Sequence, residues 1–551
     1  TRAAIIAVCV VLALTGGAML LSLCSFAIAE EPTQLTICIG RRPYDSTESY
    51  SEKHWVQEVE KACNLKINWI ELPEETMKEQ LSSVLTNTNN LPDIFMCGNK
   101  MTDSIVSQNT GLWHVFTMDE IKQYAPTYYE VCEKYIDGWV DATTYPDGNI
   151  YSLMGSVYDS ERHYSYGVLY MNYQWLKNLN LEVPATLDDL HDVLVAFRDQ
   201  DANGNGDPND EYPININLKY GQGQPLNFAA LWGLPITNSI FYKIDENGNV
   251  THAVDTQAFR DFLTYFYQLG QEGLLNLEGL SSTSDQYTAE CDAMRSGIFG
   301  AWAPSYLITD TANAMQYDGL PKITVPGYEE SFCHREFNHA NRNAFVISKS
   351  CKNVEAAMRF YDYISEPTRA IEVFMGEQGI FWDYVDDDYH YEMVYCPSQE
   401  TDPEGYAAHV QKLIDAGYGD YVEKGIILDG SSLNYYNTVG CVDYGSLVLH
   451  AQNYDMTNYA DGNVYRIATI RNITERGGYA PAMNTNIVPA EAQEEFDFMC
   501  DGLSTVINAF VSESILHGVT DESWNAYLKQ LEQYNYDYYI EFFNNKLHNS
   551  F

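Results

Sequence analysis

Beyond residue 30 the chain switches repeatedly between strand and helix periods. "QLTICIG" (34–40) is nearly continuous apolar sequence and reads as a buried strand, while "SYSEKHWVQEVEKACNL" (49–65) sets Trp55, Val59 and Ala62 on one helical face. "KINWIEL" (66–72) alternates as a strand, "TMKEQLSSVLTN" (76–87) returns to helical spacing, and "LPDIFMCG" (91–98) is a strand stopped by Gly98. Strand, helix, strand, helix, strand predicts a parallel sheet covered on both faces. Such sheets take ligands beyond the carboxyl ends of their strands, so Cys97, Gly98, Asn99 and Lys100 stand where a ligand could reach them.

Further along, "YPDGNIYSL" (145–153) is a hairpin signal on Asp147-Gly148, and "YGVLYMN" (166–172) reads as a strand. "PATLDDLHDVLVAFRDQ" (184–200) predicts a helix capped by Thr186 and Asp189, with Leu187, Leu190, Leu194 and Phe197 as its apolar stripe. "TQAFRDFLTYFYQLGQEGLL" (256–275) is helical, and "SGIFGAWAPSY" (296–306) is an apolar strand entering an aromatic loop. "NAFVISKSCKNVEAAMRFYDYISEP" (343–367) reads as strand, turn, helix, and the stretches 491–518 and 523–545 are helical. No low-complexity linker or internal repeat interrupts the pattern, so short crossings are expected to join the domains.

The first residues have a different character. Residues 1–29 carry one charge, Arg2, then a long apolar run ending in Ala27-Ile28-Ala29, which reads as an export signal with a small-x-small cleavage site. The run from Ala3 to Phe26 is also long enough to stay as a membrane anchor. Cys24 offers lipid attachment as a third route, although Leu23 stands where a bacterial lipobox has Gly, Ala or Ser. All three routes place the remaining chain outside the cytoplasm, at the cell surface or attached to the membrane.

A length of 551 residues exceeds one hydrophobic core and predicts at least two domains. A net charge of −46 argues against nucleic-acid or anionic-lipid partners, which need basic surface to neutralise phosphates. Of the 12 cysteines, Cys9 and Cys24 fall in the leader, and the others show no C-x-x-C spacing, so they read mainly as small buried hydrophobes.

One loop is unusually rich in oxygen. "DANGNGDPNDEYPI" (201–214) places Asp201, Asn203, Asn205 and Asp207 at positions one, three, five and seven, with Gly206 at the sixth allowing a tight turn. An EF-hand closes with Glu at position twelve, but here Tyr212 stands there and Asp210 and Glu211 precede it. The alternation that follows, Ile214, Ile216 and Leu218, predicts a strand where an EF-hand would start a second helix. A structural calcium site and an Asx-rich turn without metal both fit these residues.

The stretch 169–214, "LYMNYQWLKNLNLEVPATLDDLHDVLVAFRDQDANGNGDPNDEYPI", resembles the large carbohydrate-type extracellular solute-binding proteins of bacterial ABC importers. An Asn-x-x-Trp-Leu element, a Pro-x-Thr helix and an Asp-x-Asn-Gly-Asn-Gly loop ending in Asp-Glu follow in the family's order. "LPDIFMCG", "YPDGNIYSL", "LWGLP", "FVISKSCKNVEAAMRFYDYI", "IVPAEAQEEF" and "SWNAYLKQLEQY" extend the similarity over roughly 32–545. The family's loop has its Asp-Glu pair one residue earlier than Asp210 and Glu211.

The resemblance implies an α/β, two-lobed periplasmic-binding-protein fold with a ligand cleft between the lobes. Residues 30–169 and 327–375 would form the N-terminal lobe, and 170–326 and 376–551 the C-terminal lobe. Crossings are expected near Tyr170, near Pro321 to Pro326, and after the helix containing Phe360. It also implies Ca2+ held structurally by Asp201, Asn203, Asn205, Asp207, Asp210 and Glu211, away from the cleft. The partners would be a saccharide and ABC transporter permease subunits, with the receptor working as a monomer.

A sugar offers apolar C–H faces and a rim of hydroxyls, which suits flat aromatic platforms edged by polar side chains. The sequence has 43 Tyr and 9 Trp, so only those on predicted loops at strand ends are informative. Trp302 and Tyr306 in "AWAPSY" follow an apolar strand, where sugar-binding relatives carry a stacking aromatic. Trp232 in "LWGLP", Trp382 in "GIFWDY", Tyr479 in "RGGYAP" and Asn99 complete the candidate set. No H-E-x-x-H, G-x-S-x-G, P-loop or dinucleotide-binding glycine pattern is present, and no catalytic residue is assigned. The expectation is a receptor that captures an oligosaccharide, with an oligopeptide receptor and a secreted glycan hydrolase as the competing readings.

Overall fold

The computed structural model describes residues 31–547 except 44, 137, 156–167, 238, 246, 248, 329–333, 336–340, 386–389, 429–437, 442–444, 446–478 and 481–486. The expected signal segment, 1–29, and its Cys24 lie outside the described residues.

The first sheet is built from the alternating segments at the start of the chain. β1 (Thr33–Arg41) pairs in parallel with β2 (Leu65–Pro73) and with β3 (Ile94–Met96). The connecting helices, α1 (His54–Ala62) and α2 (Met77–Thr86), bury Trp55, Val56 and Val59, and Met77 and Leu81. β4 (Leu153–Gly155) completes the sheet through a late strand, β9 (Asn341–Ile347), which runs antiparallel to both β3 and β4 and gives the order β2-β1-β3-β9-β4. Helix α5 (Val354–Ile364) then turns Phe360, Tyr361 and Ile364 into the same core.

The second sheet starts thirteen residues after β4, at β5 (Val168–Asn172). β6 (Tyr212–Ile214), β7 (Ser296–Ala301) and β8 (Tyr317–Gly319) give the order β8-β5-β7-β6, with β6 parallel to β7 and the other pairs antiparallel. Val168 and Leu169 therefore belong to the second sheet, slightly earlier than the expected boundary. On one face pack α3 (Leu187–Asp199), α4 (Gln257–Gln271) and α6 (Gln493–His517), whose apolar stripes meet in one large core. The predicted capping box forms: Asp189 N donates to Thr186 Oγ1 at 3.1 Å and Thr186 N donates to an Asp189 carboxylate oxygen at 3.0 Å. Two further helices, α7 (Asp521–Gln533) and α8 (Tyr536–Phe542), close this core with Tyr527, Leu531, Tyr536 and Tyr539.

The expectation that everything after 375 joins the second lobe needs correction. Ile371, Met375, Phe381, Trp382, Tyr391, Leu413 and Val439 form a small core of their own, and this segment is tied to the first lobe. Cys441 N donates to Val373 O at 2.7 Å, Tyr421 Oη donates to Glu52 Oε2 at 3.2 Å, and His54 lies 3.7 Å from Glu377. The strongest tie is Lys53, whose fully buried ammonium pairs with Asp45 at 2.9 Å and donates to Thr438 O at 3.2 Å. Burial pushes the Lys53 pKa down despite Asp45 beside it. The last passage to the second lobe falls between Ile487, in the first core, and Val488, in the second. Sequence periodicity could not find this, because it reports elements and not which core a short apolar segment joins.

Gly155, the last residue of β4, sits against an irregular stretch of β9: a Cβ there would lie 2.5 Å from Ala344 Cβ and 3.0 Å from Tyr361 Oη. Gly155→Ala is therefore expected to cost about 1–3 kcal/mol, read as a lower urea midpoint at unchanged slope. Adding Ala344→Gly should recover most of the loss. An unchanged midpoint for the single variant would show that β4 and β9 are not tightly apposed.

Candidate functional site

The strand registers decide where a ligand could sit. Gly155 pairs with Asn341, so the chain leaves and re-enters the first sheet at the same end, the end where β1 and β3 also finish. In the second sheet Val168 pairs with Ala301, and Leu320 N donates to Leu169 O at 2.8 Å, so entry and exit again share the end at which β7 finishes. Both passages thus connect the carboxyl ends of β3 and β7, and the groups following those two strands face the inter-lobe side.

On the first lip, β3 runs into a single turn, Gly98–Lys100, that packs against β9. Gly98 takes φ 53, and Asn99 is exposed at the tip. On the second lip, β7 is buried along its whole length and delivers Trp302, half-buried, and Tyr306, 39% exposed. The backbone beneath them is pinned, since buried Tyr170 donates its hydroxyl to Trp302 O at 3.0 Å.

A neighbouring turn, which sequence reading missed, lies against the same strand end. Asn217, fully buried, accepts from Lys219 N at 2.8 Å and Tyr220 N at 2.7 Å and donates to Ser282 Oγ at 2.9 Å. This places Gln222 so close to β7 that a Cβ on Gly300 would fall 2.0 Å from Gln222 O. Tyr287 braces the pair by donating to Gly300 O at 3.0 Å and accepting from Gly300 N at 3.1 Å, and its burial raises its pKa well above the usual phenol value. Tyr220 packs over Tyr287, with ring centroids 5.2 Å apart. The glycines at 221, 223 and 300 carried the only signal for this close approach, and glycine spacing alone does not say which strand is approached.

Trp232 and Trp382, expected at the cleft, serve the cores instead. Trp232 ends a buried 3-10 helix, Pro225–Trp232, and its ring lies 5.5 Å from both Phe262 and Tyr265 on α4. The apolar run "PLNFAALW" has too few polar positions to face solvent, and that is the physical reason it packs inward. Trp382 is fully buried in the small core, where its Nε1 donates to Gly376 O at 2.7 Å and its ring meets Tyr384 and Tyr391 edge-on. Tyr479 lies in a two-residue strand paired with His334–Arg335, and its side chain is outside the described residues.

The oxygen-rich loop joins α3 to β6, helix to strand as expected, and enters the sheet where Tyr212 pairs with Ser296, at the opposite end of β7 from Trp302. Its Asx groups fold it: Asn205 N donates to Asn203 Oδ1 at 2.9 Å, Gly206 N to Asp201 Oδ2 at 2.9 Å, and Asp207 N to Asn205 Oδ1 at 2.8 Å. Asp210 accepts from both Asn203 Nδ2 and Asn205 Nδ2, and lies 3.5 Å from Arg295. Glu211 is buried and accepts from Ala202 N at 2.9 Å through Oε1.

Two oxygens in this loop, Asp201 Oδ1 and Glu211 Oε2, are buried without a hydrogen-bond partner, and burial raises the Glu211 pKa. Bare buried carboxylate oxygens are costly unless something positive faces them, so the donor set fits a hard cation. Among the described residues no three His, Cys, Asp or Glu side chains converge as a metal cluster, so a cation here would also draw on amide or main-chain oxygens.

With this geometry the chain belongs to the bacterial extracellular solute-binding protein family, whose profile matches residues 44–369. Among curated relatives, the fructooligosaccharide ABC transporter substrate-binding protein FusA of Streptococcus pneumoniae is 24% identical over 507 residues, covering 89% of this chain and 86% of FusA. The structure of FusA with kestose superposes at a TM-score of 0.69 and 20% identity, covering 92% of this chain and 97% of that one. An HMO-binding, ABC-transporter-associated solute-binding protein of Bifidobacterium longum infantis gives 0.71 at 19% identity, with 93% and 98% covered. The alginate-binding protein AlgQ2, solved without calcium ion, gives 0.64 at 17% identity, with 93% and 97% covered. At these identities the structural likenesses establish the two-lobed α/β fold. Among the described residues no helix is long and apolar enough to cross a membrane.

Proposed function

We propose that this chain is the extracytoplasmic receptor of an ABC importer, capturing an oligosaccharide between its lobes and delivering it to the permease. The observation that carries the reading is the placement of Trp302 and Tyr306 at the end of β7, on the side to which both passages between the sheets lead. A half-buried indole with its backbone fixed by Tyr170 gives a sugar ring an apolar platform, and Asn99 on the facing lip supplies amide donors and acceptors for hydroxyls. FusA was solved with kestose, which supports a short saccharide as the ligand class. Hinge closure around ligand is the established behaviour of periplasmic binding proteins, and in this reading the lobes close about the ends at which the chain leaves the first sheet at Gly155 and the second at Gly319, and about the passage at Ile487–Val488. Residues 1–29 act as the export signal and the receptor works as a monomer.

The same reading assigns Ca2+ to the loop 201–211, held by Asp201 and Glu211 with oxygens from Asn203, Asn205 and Asp207. One FusA structure is described as an EF-hand mutant, at a TM-score of 0.67 and 21% identity, which supports a cation loop in this fold. The ion would neutralise two buried carboxylate oxygens and fix the end of α3 to β6, a structural role far from the cleft.

Two measurements test these assignments. Thermal unfolding of residues 30–551 with calcium present, against kestose, fructo-nystose, alginate oligomers and short peptides, should show a raised transition with one glycan family and no product formed. A glycan at about 100 times its Kd adds roughly 2.7 kcal/mol. Response to peptides alone would overturn the sugar assignment, and glycan cleavage would turn the receptor into a hydrolase. Chelation of calcium should lower the transition by several degrees in the unaltered protein and leave Glu211→Gln unchanged. An equal chelation effect in Glu211→Gln would place the ion elsewhere.

A further inference from the structure

The irregularity in β9 carries chemistry that the first core does not need. Asn341 pairs with Gly155 and Phe345 with Leu153, so Arg342, Asn343 and Ala344 stand opposite Met154 alone. Bulges of this kind re-aim side chains and concentrate beside functional sites. Asn343, 3% exposed, accepts at Oδ1 from Tyr145 Oη and from Ser152 Oγ, each at 2.8 Å, and donates from Nδ2 to Asp103 Oδ1 at 2.7 Å. The second Asp103 oxygen lies 3.6 Å from Arg342 Nε, with side-chain exposures of 31% and 18%.

The position of this pair is as informative as its bonding. Asp103 opens the helix Asp103–Gln108, capped by Thr102, whose Oγ1 accepts from Ile105 N at 3.2 Å. That helix follows the Asn99 turn directly and packs against both β9 and Ala490–Ala492, just after the last passage into the second lobe. A carboxylate acceptor and a guanidinium donor thus stand together at the carboxyl end of the first sheet, partly open, on a buried amide that fixes the carboxylate. Two adjacent hydroxyls of a sugar present a matching acceptor and donor, and the planar fork of an arginine suits paired oxygens.

We propose that Asp103 and Arg342, positioned by Asn343, are the hydroxyl-reading pair of the first lip, facing the aromatic platform of Trp302 and Tyr306. The inference rests on the receptor reading above. In the closed protein Asp103 accepts from one ring hydroxyl while Arg342 donates to its neighbour.

Titration calorimetry tests it, with kestose as the first probe and then whichever panel glycan stabilises the unaltered protein most. Arg342→Lys and Asp103→Asn should each weaken binding roughly 10- to 100-fold, the range expected for hydrogen bonds to charged groups. Arg359→Lys is the matched substitution away from the lip, since Arg359 and its partner Glu355 are both 55% exposed on α5, and it should bind as the unaltered protein does. Unfolding midpoints of all three variants should stay close to the original, separating recognition from folding. Full affinity in Arg342→Lys and Asp103→Asn would overturn the pair while leaving the receptor intact. Failure of the unaltered protein to bind any glycan would overturn the sugar reading, and the pair with it.

Discussion

Among the described residues the chain fills two large apolar cores, one to each lobe, that stay separate, and it passes between them at one end of each sheet. Gly155 beside Asn341 and Val168 beside Ala301 fix that end in each lobe. Asn99 after β3 and Trp302 after β7 then follow from strand direction, and the β9 bulge adds Arg342 at the same end of the first sheet. The oxygen-rich loop enters at the opposite end of β7, about five strand residues or roughly 17 Å away, which separates any cation from the cleft.

Each lip is stiffened by buried amide side chains. Asn343 gathers Tyr145, Ser152 and Asp103 on the first, and Asn217 holds the turn that lies against Gly300 on the second. A buried amide that satisfies its donors and acceptors specifies one arrangement, because any shift strands several polar groups at once. Rigid lips suit the proposed closure over a ligand.

Much of this was legible in the sequence, and the divisions have physical causes. Elements with strong periodicity or caps, such as β1 to β3, the Thr186 helix and the long helix from Gln493, fell where spacing placed them, and the Asp-x-Asn-Gly-Asn-Gly loop joins helix to strand. Trp232 and Trp382 were misread because a large aromatic near glycine looks the same whether it faces a cleft or ends a core. Asp103, Arg342 and Asn343 left no signal, since a bulge arises from the pairing of strands nearly 190 residues apart in sequence. The attachment of Trp382, Leu413 and Val439 and their small core to the first lobe was hidden for a related reason: it hangs on Lys53, Asp45 and Thr438, which periodicity treats as surface.

Closure of the two lips over a saccharide would be visible by small-angle X-ray scattering of the calcium-loaded protein. Saturation with the stabilising glycan should reduce the radius of gyration as the lobes swing together about the passages. A scattering curve unchanged at saturation, with binding confirmed by calorimetry, would contradict closure and leave a rigid binding protein.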